Sequence, residues 1–153
     1  AAVNANMFSA IDMIRRCLDG MAARRFGRIV NITSVAVKMP VGNLGLSNGA
    51  RAGLTGFISG IAREPARHNV TIHNLLPGYI ATDRMWSVLE HAALQDGRDL
   101  EEFNSAMFSK IGARRPGEPD EFGALCAFLC SRQAAYITAQ NVLMDGGLYP
   151  GTL

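Results

Sequence analysis

The sequence predicts an α/β fold built on a parallel sheet, and two observations support that prediction. Three short runs are rich in β-branched and apolar residues, as buried strands are, and they cover residues 28–33, 69–76 and 141–147. Longer segments, several with helical spacing of apolar residues, separate the three runs. Strands that alternate with helices in this way imply right-handed crossovers between parallel neighbours.

The first helix is predicted over residues 2–25, ahead of the first strand. Apolar residues recur in it at three- and four-residue spacing, at Ile11, Ile14, Leu18 and Met21. Gly27 is expected to end this helix, because glycine readily adopts the left-handed conformation that is common just past a helix.

The second helix is predicted over residues 46–64, and Pro65 disturbs its end. Each glycine inside a helix costs about 1 kcal/mol relative to alanine, so a helix with four of them needs an offsetting interaction. The four recur every three or four residues and therefore share one face: Gly49, Gly53, Gly56 and Gly60. We expect a neighbouring element to approach this face closely, and contact with a bound ligand is the alternative.

The second half of the chain continues the alternation. The strand at 69–76 stops at Pro77 and Gly78, and residues 84–111 are expected to form one or two helices. The segment 114–131 opens with turn residues and continues as a helix. Acidic residues occupy the first turn of that helix, where they suit the helix dipole.

Composition and charge narrow the classes of function. The 153 residues suggest one domain, and the net charge of +2 with dispersed basic residues argues against a nucleic-acid partner. No apolar run approaches the length of a membrane span, so no membrane partner is expected. Cys17, Cys126 and Cys130 are odd in number and sparse, which favours a reducing, cytoplasmic setting. The three histidines lack metal-ligand spacing, so no metal site is expected.

Four stretches of sequence carry a resemblance to a known family. They are GRIVNITS at 27–34, ARAGLTGF at 50–57, NVTIHNLLPGYIATDR at 69–84 and YITAQNVLMDGG at 136–147. In this order and spacing they resemble the C-terminal part of the short-chain dehydrogenase/reductase family, close to its 3-oxoacyl-carrier-protein reductase-like members. The resemblance covers essentially all 153 residues.

The resemblance implies an NAD(P)-binding Rossmann fold of which this chain carries the C-terminal half. The sequence has no G-x-G-x-x-G, the turn that cradles the cofactor pyrophosphate in such folds. Residues 1–153 are therefore expected to be the C-terminal part of a single domain, with the last three strands of its sheet. The strand at 28–33 is then expected to lack a neighbour on one side. The missing half would hold the ribose selector, so NAD and NADP both stay open.

The family's proton chemistry maps onto four residues of this sequence. Ser34, at the end of a strand, matches the serine that holds the substrate oxygen. Asn6 matches the asparagine that supports a proton-relay water, although Asn4 is a second candidate. Without the family, Ser34 is an ordinary turn residue at a strand end, and Asn6 a polar residue near a helix start.

Ser47 and Arg51 occupy the positions of the family's catalytic tyrosine and lysine. An aliphatic alcohol is a far weaker acid than a phenol, whose ordinary pKa is about 10, so Ser47 is a poor substitute for the tyrosine. Arg51 keeps the positive charge and can still fork onto ribose hydroxyls or a phosphate. Because arginine does not deprotonate in proteins, Arg51 is poorly suited to relay protons.

The loop after the second strand matches the family's grip on the carboxamide end of the cofactor. Pro77 and Gly78 open the loop, and the backbone of Ile80 and the hydroxyl of Thr82 stand at the gripping positions. The alternative for this stretch is an ordinary loop in which Thr82 caps the following helix.

The resemblance therefore implies an NAD- or NADP-dependent oxidoreductase that interconverts a ketone or 3-oxoacyl group and an alcohol, with a remodelled Tyr/Lys pair. A non-catalytic nucleotide-binding protein and a structural subunit that partners an active relative are the alternatives. The family also implies a homodimer or homotetramer, formed where helices matching residues 2–25 and 46–64 meet across a two-fold axis.

Overall fold

A computed structural model describes residues 1–152, and it confirms the predicted parallel sheet. The strands are β1 (Gly27–Ile32), β2 (Val70–Pro77) and β3 (Asn141–Met144), with spatial order β1-β2-β3. The pairing of β1 with β2 begins with Gly27 opposite Val70, and the pairing of β2 with β3 begins with Asn74 opposite Asn141. All three strands are parallel, so their carboxyl ends meet at one edge of the sheet.

Five α-helices connect and flank the strands in the described part of the chain. They are α1 (Ser9–Ala23), α2 (Gly45–Ile61), α3 (Asp83–Asp96), α4 (Leu100–Phe108) and α5 (Pro119–Cys130). The predicted helix at 84–111 is thus two helices, separated where Gly97 takes a left-handed φ of 69°. Shorter turns complete the chain: a π-helical turn at Asn4–Phe8 and 3-10 turns at Val35–Val37 and Glu64–His68.

The prediction that Gly27 ends the first helix is wrong. Helix α1 ends at Ala23, and Arg25 takes the left-handed conformation with φ 55°. Gly27 instead opens β1, where a Cβ atom would lie 2.7 Å from the Met21 Sδ and 2.8 Å from the Val70 Cγ1. This position needs a glycine because helix α1 and strand β2 both press against it, which local sequence alone does not reveal.

Strand β2 is the centre of the core. It is buried from Val70 to Leu76, and Ile72 packs in a cluster with α1 and α2 side chains. The buried members of that cluster are Ile14, Leu54, Ile58, Ala62 and Ile72. A second cluster joins α3 to α4 through Leu89, Ala93 and Phe103, and the Trp86 and Phe108 rings meet edge to face there with centroids 6.1 Å apart.

Strand β1 is an edge strand within residues 1–152, as the sequence predicts for the strand at 28–33. Its only strand neighbour there is β2, and Ile32 is 50% exposed. A groove of about 280 Å³ runs between α1 and β1, with Met13, Cys17 and Val30 among its lining residues. One side of the sheet therefore presents unpaired backbone and apolar surface.

The glycine face of α2 behaves differently along its length. A Cβ atom at Gly53 would lie 3.0 Å from the Sδ of Met7, so the π-helical turn does approach the helix closely there. A Cβ atom at Gly49, Gly56 or Gly60 would meet no heavy atom within 4 Å beyond the helix's own backbone. The predicted close approach therefore holds at one glycine, and the described residues leave the other three uncovered.

His73 is a buried histidine at the middle of β2. Its side chain is 0% exposed, and neither ring nitrogen has a hydrogen-bond partner among the described residues. Burial lowers the pKa of His73 from its ordinary value; the backbone of Ile137 partly opposes this, and the nearby Arg28 guanidinium adds to it. The folded protein consequently favours the neutral imidazole.

We expect His73 to make the protein less stable in mild acid. The unfolded chain takes up a proton near the ordinary histidine pKa of about 6.5, whereas the folded chain resists it, so stability falls as pH drops below that value. The His73→Leu variant lacks this contribution, and its free energy of unfolding should depend less on pH between 7 and 5. Urea unfolding at several pH values measures the difference.

The exposed His91, on α3, provides the matched control. His91→Leu should keep the pH dependence of the wild-type protein, because it removes an exposed histidine and leaves the buried imidazole of His73 in place. Identical pH slopes for His73→Leu and wild type would contradict the interpretation.

Candidate functional site

Ser34 lies at the carboxyl edge of the sheet, immediately after β1. Its backbone is extended, with φ −172° and ψ 153°, and it caps the 3-10 turn Val35–Val37. The Ser34 Oγ accepts a hydrogen bond from the Ala36 N–H at 3.1 Å. This contact orients the side chain and leaves the hydroxyl proton to be donated elsewhere.

Ser47 and Arg51 lie on consecutive turns of α2 and contact each other. The Arg51 Nε donates to the Ser47 Oγ at 3.2 Å, and the Arg51 Nη1 donates to the carbonyl of Thr33, the residue before Ser34. A longer contact of 3.5 Å reaches the Ile32 carbonyl. Through these hydrogen bonds the Ser47–Arg51 pair is attached to the end of β1, next to Ser34. Burial lowers the pKa of Arg51, yet a guanidinium remains charged at neutral pH.

Asn6 lies in the π-helical turn Asn4–Phe8, a local form that often marks functional sites. Its Nδ2 donates to the Ala2 carbonyl at 2.9 Å, and its side chain is half-buried whereas Asn4 is exposed. Among the described residues Asn6 has no hydrogen bond to Ser34, Ser47 or Arg51. The nearest structural link is Met7 of the same turn, which packs against Gly53 of α2.

Pro77 and Gly78 end β2 beside β3. The Gly78 N–H donates to the Met144 carbonyl at 2.9 Å. A Cβ atom at Gly78 would lie 2.8 Å from the Asp145 Cβ and 2.9 Å from its Cα. Because β3 lies so close, only glycine fits here without a shift of backbone.

Ile80 and Thr82 follow in a loop that is tied to the segment before α5. Gly117 donates to the Tyr79 carbonyl at 2.9 Å and accepts from the Ala81 N–H at 2.8 Å. Thr82 caps α3, with its Oγ1 accepting from the Met85 N–H at 3.3 Å. Within residues 1–152 the Ile80 N–H and the Thr82 hydroxyl proton have no acceptor, so both remain available as donors.

Two cavities flank this loop. The smaller, about 350 Å³, lies between the end of β2 and α3. Its lining includes four of the five residues predicted to bind the cofactor, Pro77, Gly78, Ile80 and Thr82, and not the fifth, Arg51. The larger, about 400 Å³, lies on the other side of Ile80 beside Arg115 and Glu121. Those two side chains already form an ion pair, with 2.7 Å between the Arg115 Nη2 and the Glu121 Oε1. Arg115 holds the pKa of the Glu121 carboxyl at about 2. We therefore regard the smaller cavity as the better candidate for a ligand.

The predicted residues fall into two connected groups and one outlier. Ser34, Ser47 and Arg51 meet at the end of β1, and the Pro77–Thr82 loop follows the adjacent end of β2. Asn6 lies apart from both groups in its hydrogen bonding. In residues 1–152 no group of three or more His, Cys, Asp or Glu side chains is placed to hold a metal ion. No helix there has the length and apolar character to cross a bilayer.

Two residues of α3 that line the smaller cavity, Met85 and Val88, were not predicted from the sequence. Their only signal is helical spacing after the Thr82 cap, which does not indicate what the helix faces. Tyr79, an alternative proton donor in the sequence, lines both cavities. Lys38, four residues after Ser34, places its ammonium 5.7 Å from the Tyr149 ring centroid, so the segments after β1 and β3 also meet.

Comparison with known proteins gives consistent matches along the chain. A family profile described as enoyl-(acyl carrier protein) reductase matches residues 1–149. The 3-oxoacyl-[acyl-carrier-protein] reductase of Vibrio harveyi is 37% identical over 149 residues, covering 96% of this chain. The acetoacetyl-CoA reductase of Cupriavidus necator is 36% identical over 153 residues, covering 99% of this chain.

Solved structures agree with these relatives. The crystal structure of YwfH, an NADPH-dependent reductase involved in bacilysin biosynthesis, matches with TM-score 0.89 and 34% identity over 95% of this chain. An actinorhodin polyketide ketoreductase variant with NADPH matches with TM-score 0.85 and 30% identity over 94% of this chain. The chain spans only 56% of each of these two structures, and 56% and 57% of the two curated relatives.

We expect Gly78→Ala to destabilise the fold by about 1–3 kcal/mol, the usual range for overpacking. The added methyl would meet the Cα and Cβ of Asp145, so strand β3 or the loop must shift. The midpoint of urea unfolding measures the loss. The control is Gly123→Ala on α5, where a Cβ meets nothing within 4 Å.

Gly123→Ala should be neutral or stabilising by up to about 1 kcal/mol, because alanine is the better helix former. If both alanine variants unfold at the wild-type urea concentration, the close packing at Gly78 does not constrain the fold.

Proposed function

The chain belongs to the short-chain dehydrogenase/reductase family, and from that premise we propose that it is part of an NAD(P)-dependent reductase of 3-oxoacyl or related ketone substrates. One observation supports the proposal above the others. Ser34 and the Ser47–Arg51 pair adjoin the Pro77–Thr82 loop at the carboxyl ends of two parallel strands. Ligands of open α/β sheets bind at that edge.

The residues present fit a nicotinamide cofactor at the loop. The Ile80 N–H and the Thr82 hydroxyl are free donors beside a cavity, and they suit the oxygen of a carboxamide. Pro77 and Gly78 shape that cavity, and Arg51 has a further terminal nitrogen, Nη2, without a hydrogen bond to any residue in 1–152. The bound cofactor supplies the hydride, and either NAD or NADP is compatible with these residues.

The protein's own part in the reaction is to hold the substrate oxygen and to deliver a proton. We assign the first task to the Ser34 hydroxyl, which accepts from the Ala36 N–H and keeps its own proton for donation to the substrate oxygen. We assign the proton to the Ser47 hydroxyl, which accepts from Arg51 and keeps its own proton for donation. Asn6 is proposed to hold a relay water behind them.

Ser47 makes the proposed reaction slow. A positioned general acid contributes about 10²–10⁴-fold, and an aliphatic hydroxyl lacks the acidity of a phenol. This same observation favours the second candidate function, a nucleotide-binding protein without turnover. A structural subunit that partners an active relative is the third candidate function. Calorimetric titration with NADH and NADPH separates it from the other two, because only the structural subunit would fail to bind the cofactor.

The domain boundary is part of the proposal. We propose that residues 1–153 form the C-terminal part of one Rossmann-type domain and that a further segment pairs with the free edge of β1. The 50% exposure of Ile32 and the shorter length of the chain relative to its matches support this. The three cysteines are free, which agrees with a reducing cytoplasmic setting.

We further propose a homodimer, or a homotetramer built on it, with α1 and α2 at an isologous interface. Phe8 is 54% and Met13 62% exposed, and the glycine face of α2 is open at Gly49, Gly56 and Gly60. Light scattering should therefore give at least twice the chain mass. Met13→Glu should weaken the assembly, and the control Leu94→Glu, on the 74% exposed Leu94 of α3, should not. A wild-type monomer at micromolar concentration would refute the interface.

Activity should rise when a phenol is restored at residue 47. We expect Ser47→Tyr to raise kcat for NAD(P)H-dependent reduction of acetoacetyl-CoA on the order of 10²-fold, the contribution of a positioned general acid. The full chain is used, and oxidation of the reduced cofactor is followed in steady state.

Ser47→Phe is the matched control, because it adds the same ring without the hydroxyl. It should bind cofactor like wild type and show no gain. Equal rates for the tyrosine and phenylalanine variants would overturn the assignment of residue 47 as the acid. Fast reduction by the wild-type protein would show that another group, such as Tyr79, supplies the proton.

A further inference from the structure

We propose that Arg51 is a positioning residue that holds the carboxyl end of β1 and so fixes the direction of the Ser34 hydroxyl. Its catalytic consequence rests on the function proposed above, whereas the contacts that support it do not. The starting point is a gap in the hydrogen bonding between β1 and β2.

The ladder between the two strands loses one bond at Pro77. Successive bonds run from the N–H groups of alternate β1 residues to β2, ending with Thr33 donating to the Leu75 carbonyl at 2.9 Å. In this parallel register the next bond would run from the N–H of residue 77 to the Thr33 carbonyl. Proline has no N–H, so strand β2 cannot supply that donor.

Arg51 supplies the missing donor from outside the sheet. Its Nη1 donates to the Thr33 carbonyl, and the same guanidinium reaches the Ile32 carbonyl at 3.5 Å and the Ser47 Oγ at 3.2 Å. Thr33 is only 4% exposed, so water has little access to its carbonyl, and leaving that carbonyl unpaired would be costly. Arg51 therefore completes the strand end that Pro77 leaves open.

The Thr33 carbonyl belongs to the peptide unit that leads into Ser34. Because a peptide unit is planar, holding its oxygen fixes the plane of the Ser34 N–H as well. The Ser34 side chain then has one orientation, with Oγ on the Ala36 N–H. Since β1 is an edge strand, no second strand within residues 1–152 holds this segment from its other side.

A lysine cannot reproduce this arrangement. Its ammonium is a single point at the end of a flexible stem, whereas the guanidinium is a rigid fork that meets Ser47 and Thr33 together. The substitution Arg51→Lys therefore separates two roles. It keeps a cation for a cofactor phosphate or ribose, and it removes the fork from the strand end.

Amide hydrogen exchange in the full chain tests the structural part without any ligand. The Ala36 N–H is protected by the Ser34 Oγ and the Val37 N–H by the Ser34 carbonyl. We expect both amides to exchange about tenfold faster in Arg51→Lys and in Arg51→Met. The control Arg63→Lys, at an exposed arginine just past α2, should leave them unchanged.

Pro77→Ala gives the decisive arm of this test. In the Arg51→Met background it restores an N–H at the position where the ladder needs a donor, so protection of the Ala36 and Val37 amides should return. A merely destabilised α2 would not be repaired by a change in β2. Unchanged exchange in both Arg51 variants, or no recovery with Pro77→Ala, overturns the proposal.

Steady-state kinetics tests the catalytic consequence. Arg51→Lys should lower kcat by roughly 10- to 10²-fold with little change in the KM for NAD(P)H, because misplacement of a reacting group costs that much. Adding Ser34→Ala to Arg51→Lys should cost little more, since the two residues act as one unit. Full activity of Arg51→Lys would instead make Arg51 only a cofactor-binding cation and refute positioning.

The two proposals fail separately. If wild type neither binds NAD(P)H nor turns over ketones, the proposed function is wrong, and the exchange data alone then decide whether Arg51 holds the strand end.

Discussion

The burial of strand β2 is the constraint on which the rest of the structure depends. Its residues from Val70 to Leu76 are buried, so the backbone N–H and C=O groups of β2 need partners on both sides. Strand β1 supplies them along one side, and β3 with the segment just before it, residues 138–140, supplies them on the other. Parallel pairing meets that need and places the ends of β1, β2 and β3 at one edge. The helices then cover the strand through Ile14, Leu54 and Ile58, which pack around Ile72. The candidate site occupies the edge at which this regular pairing stops.

The fold was largely predictable because its signals are local. The β-branched runs and the helical spacing place all three strands and the principal helices, and the chain's family follows from four short stretches in order. The prediction that Gly27 ends the first helix was wrong. A glycine is needed there because the Met21 and Val70 side chains leave no room for a Cβ, and the sequence does not reveal that approach. For the glycines of α2, the sequence predicted a close approach by a neighbouring element, and only Gly53 has one. The other three face no other described element.

The resemblance to the family nominates the residues of the candidate site, whose roles stay proposals, and it does not predict their contacts. Family resemblance places Ser34, Ser47, Arg51 and the Pro77–Thr82 loop at one edge. No pattern in the sequence indicates that Arg51 reaches the Thr33 carbonyl, because the two residues are brought together by the crossing of α2 over the sheet. The lining of the smaller cavity by Met85 and Val88 was hidden for the same reason. Helical spacing predicts which residues share the apolar face of α3, but only the fold shows which element or cavity that face contacts.

The edge-to-face pair on the α3–α4 hairpin makes this protein its own optical reporter. Trp86 is the single tryptophan of the sequence, it is 41% exposed, and it follows Met85 of the cavity wall directly. Emission excited at the red edge of protein absorption therefore arises from one indole, held against Phe108. A shift of the hairpin toward or away from the sheet changes the solvation of that indole, and its emission colour with it. The wall of the smaller cavity can thus be observed without attaching a dye.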